Sequence, residues 1–281
     1  MHLTHLPVEL VYSRLARVWR HRVEETIQLD LARLGWALGL MVIAVGLSLW
    51  QHLGLEWKLG VATGRTIVQL LAVGYFLAVA FSIQNSWLVL AIIGVMMFTA
   101  TVVARNRISR KLPQLLPLLG GVLFCTTTLT LAYVHLLVIR PQPWFDPQYL
   151  IPLAGILLGN AMNAAAIAGE RLVTNLNSSQ IEIETHLSLG ATPAQATQQY
   201  RNDAIQAGLI PILNAMTVIG IVTLPGIITG QILAGADPFN AALYQMLIMF
   251  MLAFVDLLAS LLVTQGIYRQ FFNGAAQFTR H

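Results

Sequence analysis

Two side-chain amides and a thioether stand close together in one apolar stretch of this 281-residue chain. Asn160 and Asn163 are three residues apart, so on a helix they share a face, and Met162 lies beside that face. An amide in hydrocarbon needs hydrogen-bond partners, so the face should look into a helix bundle or a cavity. Two interpretations stay open: a transport path lined by amide oxygen and thioether sulfur, or interhelical hydrogen bonds that fix the packing of a bundle or a dimer.

A second group of residues interrupts the next apolar stretch. Proline removes a backbone donor and glycine loosens a helix, so Pro225 and Gly226 predict a break at membrane depth. Such breaks often line a transport path or act as hinges. Met216 and Gln231 could then contribute to the same cavity. The alternative is a kink that serves only packing.

One acidic side chain, Asp256, lies inside the last apolar stretch and is expected to face the interior of a bundle. It could pair with His135, serve a cation or make a purely structural polar contact. Histidines, carboxylates and the single cysteine show no metal-ligand spacing, so the residues alone predict no metal site. No phosphate-binding loop is present in the sequence, so this chain is not expected to be an ATP-hydrolysing enzyme.

The composition places these residues in a membrane. Apolar residues make up 57% of the chain and charged residues only 10%, against about 25% charged in soluble domains. A bilayer requires about 20 apolar residues per helical span. The chain is therefore expected to be an all-α, polytopic membrane protein with about seven transmembrane helices, at residues 34–50, 66–83, 87–104, 115–139, 150–168, 212–234 and 241–265. The net charge of +4 fits basic loops and does not require nucleic acid.

The segments outside these spans are polar. Residues 1–30 read as a basic arm, either an amphipathic helix on the membrane surface or a solvated tail, with no cleavable signal peptide. Basic residues at 105–111 predict a cytoplasmic loop, which places the polar segment 170–211 and the tail 269–281 in the cytoplasm as well. Counting backward from the same loop puts the amino terminus outside despite its arginines. Three interpretations stay open: the first apolar segment does not cross fully, the basic arm lies on the outer leaflet, or the true start lies downstream of Met1.

The polar segment predicts two capped helices around a glycine. Ser179 and Glu182 have the spacing of a capping box, and Gly190 is a natural left-handed helix stop. Thr192 and Pro193 then start a second helix, with Gln195 completing a second box. The second helix is expected to end near Pro211, which makes a rigid helix–turn–helix rather than a linker.

Several motifs resemble one family of permeases. They are GRTIVQLLAVGY at 64–75, GNAMNAAAIAGERL at 159–172, LSLGATPAQATQQYRNDAIQAGLIP at 187–211, TVIGIVTLPGIITGQILAGADP at 217–238 and YQMLIMFMLA at 244–253. The chain is similar over about residues 60–269 to the FetB-type iron-export permeases of the ABC transporter class, which also include the plant aluminium-tolerance permeases. This resemblance implies a permease domain at 31–268 with a cytoplasmic coupling segment at about 172–208.

The resemblance also implies partners and roles. It implies a homodimer in the bacterial inner membrane, bound to a separate ATPase subunit that holds ATP and magnesium, so no cofactor is expected on this chain. The coupling residues that the resemblance implies are Glu182, Glu184, Leu187, Leu189, Gly190, Ala191, Thr192 and Pro193. Iron as the exported substrate depends on the resemblance alone. The alternatives are an ABC permease for a non-metal substrate such as a nucleotide sugar, a non-transporting scaffold for an ATPase, and an ion-coupled secondary transporter.

Overall fold

The structure is a computed structural model that describes residues 31–83, 85–109, 112, 114–140, 144–273 and 277–279. The predicted amino-terminal arm, residues 1–30, lies outside the described residues. Within them the secondary structure is helical and contains no β-strand. The helices are α1 Leu31–Trp50, α2 Glu56–Ile83, α3 Ser86–Ile108, α4 Leu115–Tyr133 with a π-helical continuation Val134–Ile139, α5 Pro147–Ser178, α6 Gln180–Ser188, α7 Pro193–Ala196, α8 Gln198–Val218, α9 Gly226–Leu233 and α10 Pro238–Gln270.

The all-α membrane class is confirmed, but the predicted number of seven spans is not. Across the described ranges, five helices are long and apolar enough to cross a bilayer: α2, α3, α4 with its π-helical continuation, α5 and α10. The first predicted span, 34–50, lies within α1 and is a shorter apolar segment than these five helices. The predicted span 212–234 is not one helix, because the chain is non-helical between the end of α8 at Val218 and the start of α9 at Gly226.

The described residues divide into two compact units, and the first contains residues 31–83 together with Ile227–Ala241. In this unit α1 and α2 pack against each other and are joined by residues 51–55. Ser48 fixes the connection, since its hydroxyl donates to a Glu56 carboxylate oxygen at 3.2 Å and accepts from the Leu55 amide at 3.3 Å. Most other side chains of α1 and α2 are exposed and apolar, which suits contact with lipid.

The second unit, residues 84–226 and 242–281 with the gaps given above, holds the main core. Small residues allow close helix packing here, as is common in membrane proteins. A methyl group built on Gly169 of α5 would lie 2.6 Å from Ile108 Cδ1 and 3.1 Å from Ile267 Cδ1. A methyl group on Gly208 of α8 would likewise meet Ser260 of α10. Helix α5 therefore contacts α3 and α10, and α8 contacts α10, at positions without a side chain.

The expected end of the second polar-segment helix near Pro211 is wrong. Helix α8 continues through Pro211 to Val218. Proline removes one backbone donor from the helix interior, a cost of roughly 3 kcal/mol when nothing offsets it. Buried residues on either side, Gly208 and Ile212, pack this part of α8 into the core. The tertiary contacts offset the local cost, which the sequence pattern alone does not reveal.

Candidate functional site

The polar segment forms a compact structure, here called the elbow, which consists of residues 179–201. Its central turn is set by Gly190, whose φ is 93°. The Gly190 amide donates to the Leu187 carbonyl at 3.0 Å, and the Ala191 amide donates to the His186 carbonyl at 3.0 Å. These two bonds complete a Schellman motif, which needs a left-handed residue at this position. The predicted glycine stop of α6 is confirmed.

The second helix of the elbow begins as predicted. The Thr192 amide donates to Gln195 Oε1 at 2.9 Å, and the Gln195 amide donates to Thr192 Oγ1 at 3.3 Å. This is a complete capping box, and Pro193 occupies the first position of α7. Helix α7 ends at Ala196, and Thr197 separates it from α8. The elbow therefore contains two short helices before the long helix α8 begins.

The predicted capping box at Ser179 is wrong. Ser179 has φ −108° and ψ 27°, outside the extended conformation of a capping serine, and its side chain caps no amide of α6. Glu182 instead accepts from the Tyr200 hydroxyl at 2.7 Å, and the Ser179 side chain hydrogen-bonds to the same phenol. Burial raises the pKa of Tyr200, the Ser179 hydrogen bond lowers it, and Glu182 and Asp203 raise it further. These contacts join α6 to α8 through side chains.

Arg201 joins the elbow to the last long helix. Its Nη2 donates to the Ala194 carbonyl of α7 at 3.0 Å, and its Nη1 donates to Gln265 Oε1 of α10 at 2.8 Å. The guanidinium carbon also lies 4.6 Å from the centre of the Tyr268 ring, within cation–π range. One half-buried side chain thus contacts α7 and α10 from its place in α8.

The outer surface of the elbow is polar with two exposed apolar side chains. Ile183 is fully buried, whereas Ile181 is 82% exposed and Leu189 is 81% exposed. Carboxylates of Glu182 and Glu184 are exposed around them. The eight residues that the resemblance assigned to coupling lie together on α6, on the Gly190 turn and at the start of α7. An exposed leucine and isoleucine within a polar surface can bury apolar area against a partner.

A polar cleft of about 470 Å³ opens on the same part of the molecule. Its lining combines acidic, amide and imidazole groups and is contributed by Glu182, His186, Gln195, Ala196, Gln198, Gln199, Tyr200, Asn202, Asp203 and Gln206. These groups can exchange hydrogen bonds with polar or basic side chains of another protein. No group of three or more histidine, cysteine or carboxylate side chains with metal-binding geometry occurs among the described residues.

The two asparagines that are predicted to share a face of α5 have different hydrogen-bond partners. Asn163 is exposed and its Oδ1 accepts from Arg107 Nη1 of α3 at 2.8 Å, so it makes an interhelical hydrogen bond. Asn160 is half-buried and donates to the Ile156 carbonyl of its own helix at 2.8 Å. Met162 is also half-buried on α5. The hydrogen bond of Asn163 fixes α5 against α3.

The predicted break lies between α8 and α9. The Gly220 amide donates to the Thr223 carbonyl at 2.9 Å, and Gly220 has a φ of 78°. Pro225 ends this irregular segment and Gly226 begins α9. Met216 is half-buried on α8 in the second unit, whereas Gln231 is half-buried on α9 in the first unit. A helix break at this position is therefore confirmed as structure.

Asp256 is buried at 4% exposure on α10, and Ser260 and Thr264 follow it at intervals of one turn. Throughout the described part of the chain, Asp256 Oδ1 and Ser260 Oγ have no hydrogen-bond partner. Of the alternatives for Asp256, the pair with His135 does not form, since neither ring nitrogen of His135 bonds to it. A buried carboxylate with an unpartnered oxygen is costly in a membrane domain, which is why such residues are often functional.

Comparison with known proteins identifies the family of this membrane chain. The protein-family model described as "Uncharacterised protein family (UPF0014)" matches residues 31–272 of the chain. The chain belongs to the UPF0014 family. It is 51% identical over 247 residues to the UPF0014 membrane protein slr1647 of Synechocystis sp., covering 88% of this chain and 95% of that protein. No solved structure is a significant match to the chain.

Two other similar proteins have names that refer to a metal. The chain is 35% identical over 244 residues to the probable iron export permease protein FetB of Escherichia coli, covering 87% of this chain and 93% of FetB. It is 34% identical over 249 residues to the protein ALUMINUM SENSITIVE 3 of Arabidopsis thaliana, covering 87% and 88%. The resemblance to iron-export and aluminium-tolerance permeases is confirmed, and the chain is a multi-pass membrane protein of a permease family.

Sequence reasoning missed the side chains that hold the elbow in place. No local sequence pattern points to the roles of Tyr200, Arg201, Gln265 and Tyr268. An adjacent tyrosine and arginine at the start of α8 do not by themselves predict contacts with other helices. Their partners lie 18 residues away at Glu182 and 64 residues away at Gln265, beyond any local pattern.

Proposed function

We propose that this UPF0014 chain is the membrane permease subunit of an ATP-driven exporter for iron or a related metal. A separate ATPase subunit would bind ATP and magnesium and hydrolyse the nucleotide, and two copies of this chain would form the membrane core. The 35% identity to the probable iron export permease FetB supports export and the metal substrate. A bacterial inner membrane is the proposed location.

The observation that carries this proposal is the elbow itself. Its turn is fixed by the Schellman motif at Gly190 and by the Thr192 capping box, so its outer surface is pre-organised for docking. Leu189 is 81% exposed beside that turn. Burying a leucine or isoleucine fully contributes about 1.5–3 kcal/mol, so Ile181 and Leu189 could supply a useful part of a binding free energy. The partner is proposed to be the ATPase subunit, placed on the cytoplasmic side.

The transport path is proposed on other residues. Within the second unit, side chains with oxygen or sulfur donors and residues at the helix break make up the proposed path and hinge: Asn160, Met162, Asn163, Met216, Pro225, Gly226 and Asp256. Carboxylate and amide oxygens suit hard cations, and a thioether suits softer ones. Asp256 Oδ1, which has no partner among the described residues, is the strongest cation ligand of this set.

The docking proposal is tested by co-expressing the full chain with a phosphate-loop ATPase encoded in the same genome and purifying the complex. Leu189→Asp places a charge at the exposed apolar position and is expected to reduce co-purification at least about tenfold, the equivalent of about 1.4 kcal/mol. Thr174→Asp is the matched control, since it adds the same charge at an exposed position of α5 outside the elbow. Equal recovery of the ATPase with both variants would refute docking through the elbow.

Transport is tested with the complex in proteoliposomes. ATP-dependent movement of ferrous ion is the expected result, and Asp256→Asn is expected to slow it without loss of the complex. ATPase stimulation without movement of any solute would instead identify a scaffold. Movement of a nucleotide sugar but not of ferrous ion would keep the ATP-driven permease and overturn the metal assignment.

A further inference from the structure

Arg201 has a contact pattern that the docking proposal does not use. It lies in the first turn of α8, and its two terminal nitrogens donate in different directions, to the Ala194 carbonyl of α7 and to Gln265 of α10. Its guanidinium also stacks on Tyr268, three residues beyond Gln265. Gln265 and Tyr268 therefore share one face of α10. A single side chain connects the docking end of the elbow with a membrane-spanning helix.

These contacts require arginine and not merely a positive charge. A guanidinium is planar and presents several donors in fixed directions, and its face can stack on an aromatic ring. Lysine has one ammonium group that cannot reach both acceptors and also cover the ring. Hydrogen bonds from a charged donor are roughly twice as strong as those between neutral groups, so this set is stronger than an exposed surface contact.

A second contact joins α8 to α10. Two turns after Arg201, the backbone of Gly208 approaches α10 so closely that an added methyl group would lie 2.5 Å from Ser260 Oγ. Ser260 is one turn from Asp256 on the buried side of α10. The two helices are thus joined at a polar contact near the elbow and at a packing contact beside the unpartnered carboxylate.

We propose that Arg201 is the positioning residue that transmits displacement of the elbow to α10 and so to Asp256. This inference rests on the proposed function, because docking of the ATPase supplies the displacement. Arg201 does not touch the ATPase or the substrate in this scheme. It sets how much of the motion of α7 reaches α10, and its loss uncouples the two helices while leaving the outer surface of the elbow in place.

The test separates docking from coupling in the purified complex. Arg201→Lys and Gln265→Leu are expected to keep co-purification with the ATPase within about twofold, while ferrous ion moved per ATP hydrolysed falls about tenfold, as loss of one charged hydrogen bond predicts. Gln265→Glu keeps an acceptor for Arg201 and is expected to retain at least half of the wild-type coupling. The double variant should be no worse than Arg201→Lys alone, because Arg201→Lys already removes the hydrogen bond to Gln265.

The control is Arg171→Lys, a change of the same type at an exposed position of α5. It should leave coupling unchanged. Parallel loss of co-purification and transport in Arg201→Lys would show that the residue only folds the elbow, and unchanged coupling would show that it transmits nothing. Either result overturns the inference.

A measurement without the ATPase keeps this inference distinct from the proposed function. Spin labels are placed on the full chain at Leu189→Cys and Leu257→Cys, both exposed positions, with the native thiol removed by Cys125→Ser. The distance distribution between elbow and α10 should be narrow with Arg201 and at least twofold broader with Arg201→Lys. An unchanged width refutes the link even if the ATPase docks, and a broadened width supports it even if no ATPase is found to dock.

Discussion

Gly208→Ala tests the close approach of α8 to its neighbours. An alanine Cβ at this position would lie 2.5 Å from Ser260 Oγ, 3.0 Å from the Ala164 carbonyl oxygen and 3.2 Å from Ala168 Cβ. The serine hydroxyl has no hydrogen-bond partner among the described residues and can rotate away. The backbone oxygen and the alanine carbon belong to α5 and cannot rotate, so the two helices must separate by a few tenths of an ångström.

The expected change in the free energy of unfolding combines a packing cost with a gain in helix stability. Overpacking of a well-packed core costs about 1–3 kcal/mol. Replacing glycine by alanine inside a helix contributes about 1 kcal/mol in the opposite direction. Because the contacts of Gly208 reach two helices, the cost should lie near the upper end, which gives a net loss of about 1–2 kcal/mol. In a chain of this size that corresponds to a fall in the thermal midpoint of about 2–8 °C.

The assay is the thermal unfolding midpoint of the purified chain in detergent. Gly121→Ala in α4 is the matched control, since no atom lies within 4 Å of the added methyl group. This variant gains only the stabilisation that alanine gives a helix relative to glycine, so its thermal midpoint should equal or exceed that of the wild type. A Gly208→Ala midpoint at or above that of Gly121→Ala would refute the close packing of α8 against α5.

Three further predictions concern the elbow. Gly190→Ala should lower the thermal midpoint by the equivalent of at least about 1 kcal/mol, because φ is 93° there and an L side chain is strained. Gly190→Asn should lower the midpoint less than Gly190→Ala. Equal midpoints of these two variants would contradict the left-handed turn. Thr192→Ala should cost about 1 kcal/mol of stability by removing the capping box, whereas Thr185→Ala, at an exposed position within α6, should cost less. Since the pKa of Tyr200 is raised above its usual 10.0, its stabilising contact is complete below that pH and is lost as pH rises through the raised value. Tyr200→Phe should therefore show a smaller fall in midpoint above pH 10 than the wild type, and identical pH profiles would contradict this assignment.

Features of the elbow that depend on neighbouring residues could be predicted from sequence. The left-handed turn at Gly190 and the box from Thr192 to Gln195 involve residues within a few positions of each other, and both form as expected. The box at Ser179 has the same local pattern but does not form. The side chains of Ser179 and Glu182 instead hydrogen-bond to the hydroxyl of Tyr200, which is distant in sequence.

The membrane helices show the same division between local and tertiary information. Apolar composition located five long helices, because hydropathy alone identifies them. It did not show that α8 would pass through Pro211, since packing at Gly208 decides that outcome. Pro225 and Gly226 predict the helix break itself, but its extent back to residue 219 depends on the turn at Gly220. The link from Arg201 to Gln265 joins residues 64 positions apart, so it required the folded structure.

The length of α5 determines where the elbow can act. This helix has 32 residues, which at 1.5 Å per residue is about 48 Å, whereas the hydrocarbon layer is about 30 Å thick. Helix α10, with 33 residues, has the same excess. A helix of this length that runs along the bilayer normal extends about 18 Å beyond the hydrocarbon, and tilting shortens that extension. In the proposed complex, an ATPase subunit bound at such an end would act on a lever arm. A small force applied there would become a larger force over a shorter distance at the residues within the bilayer.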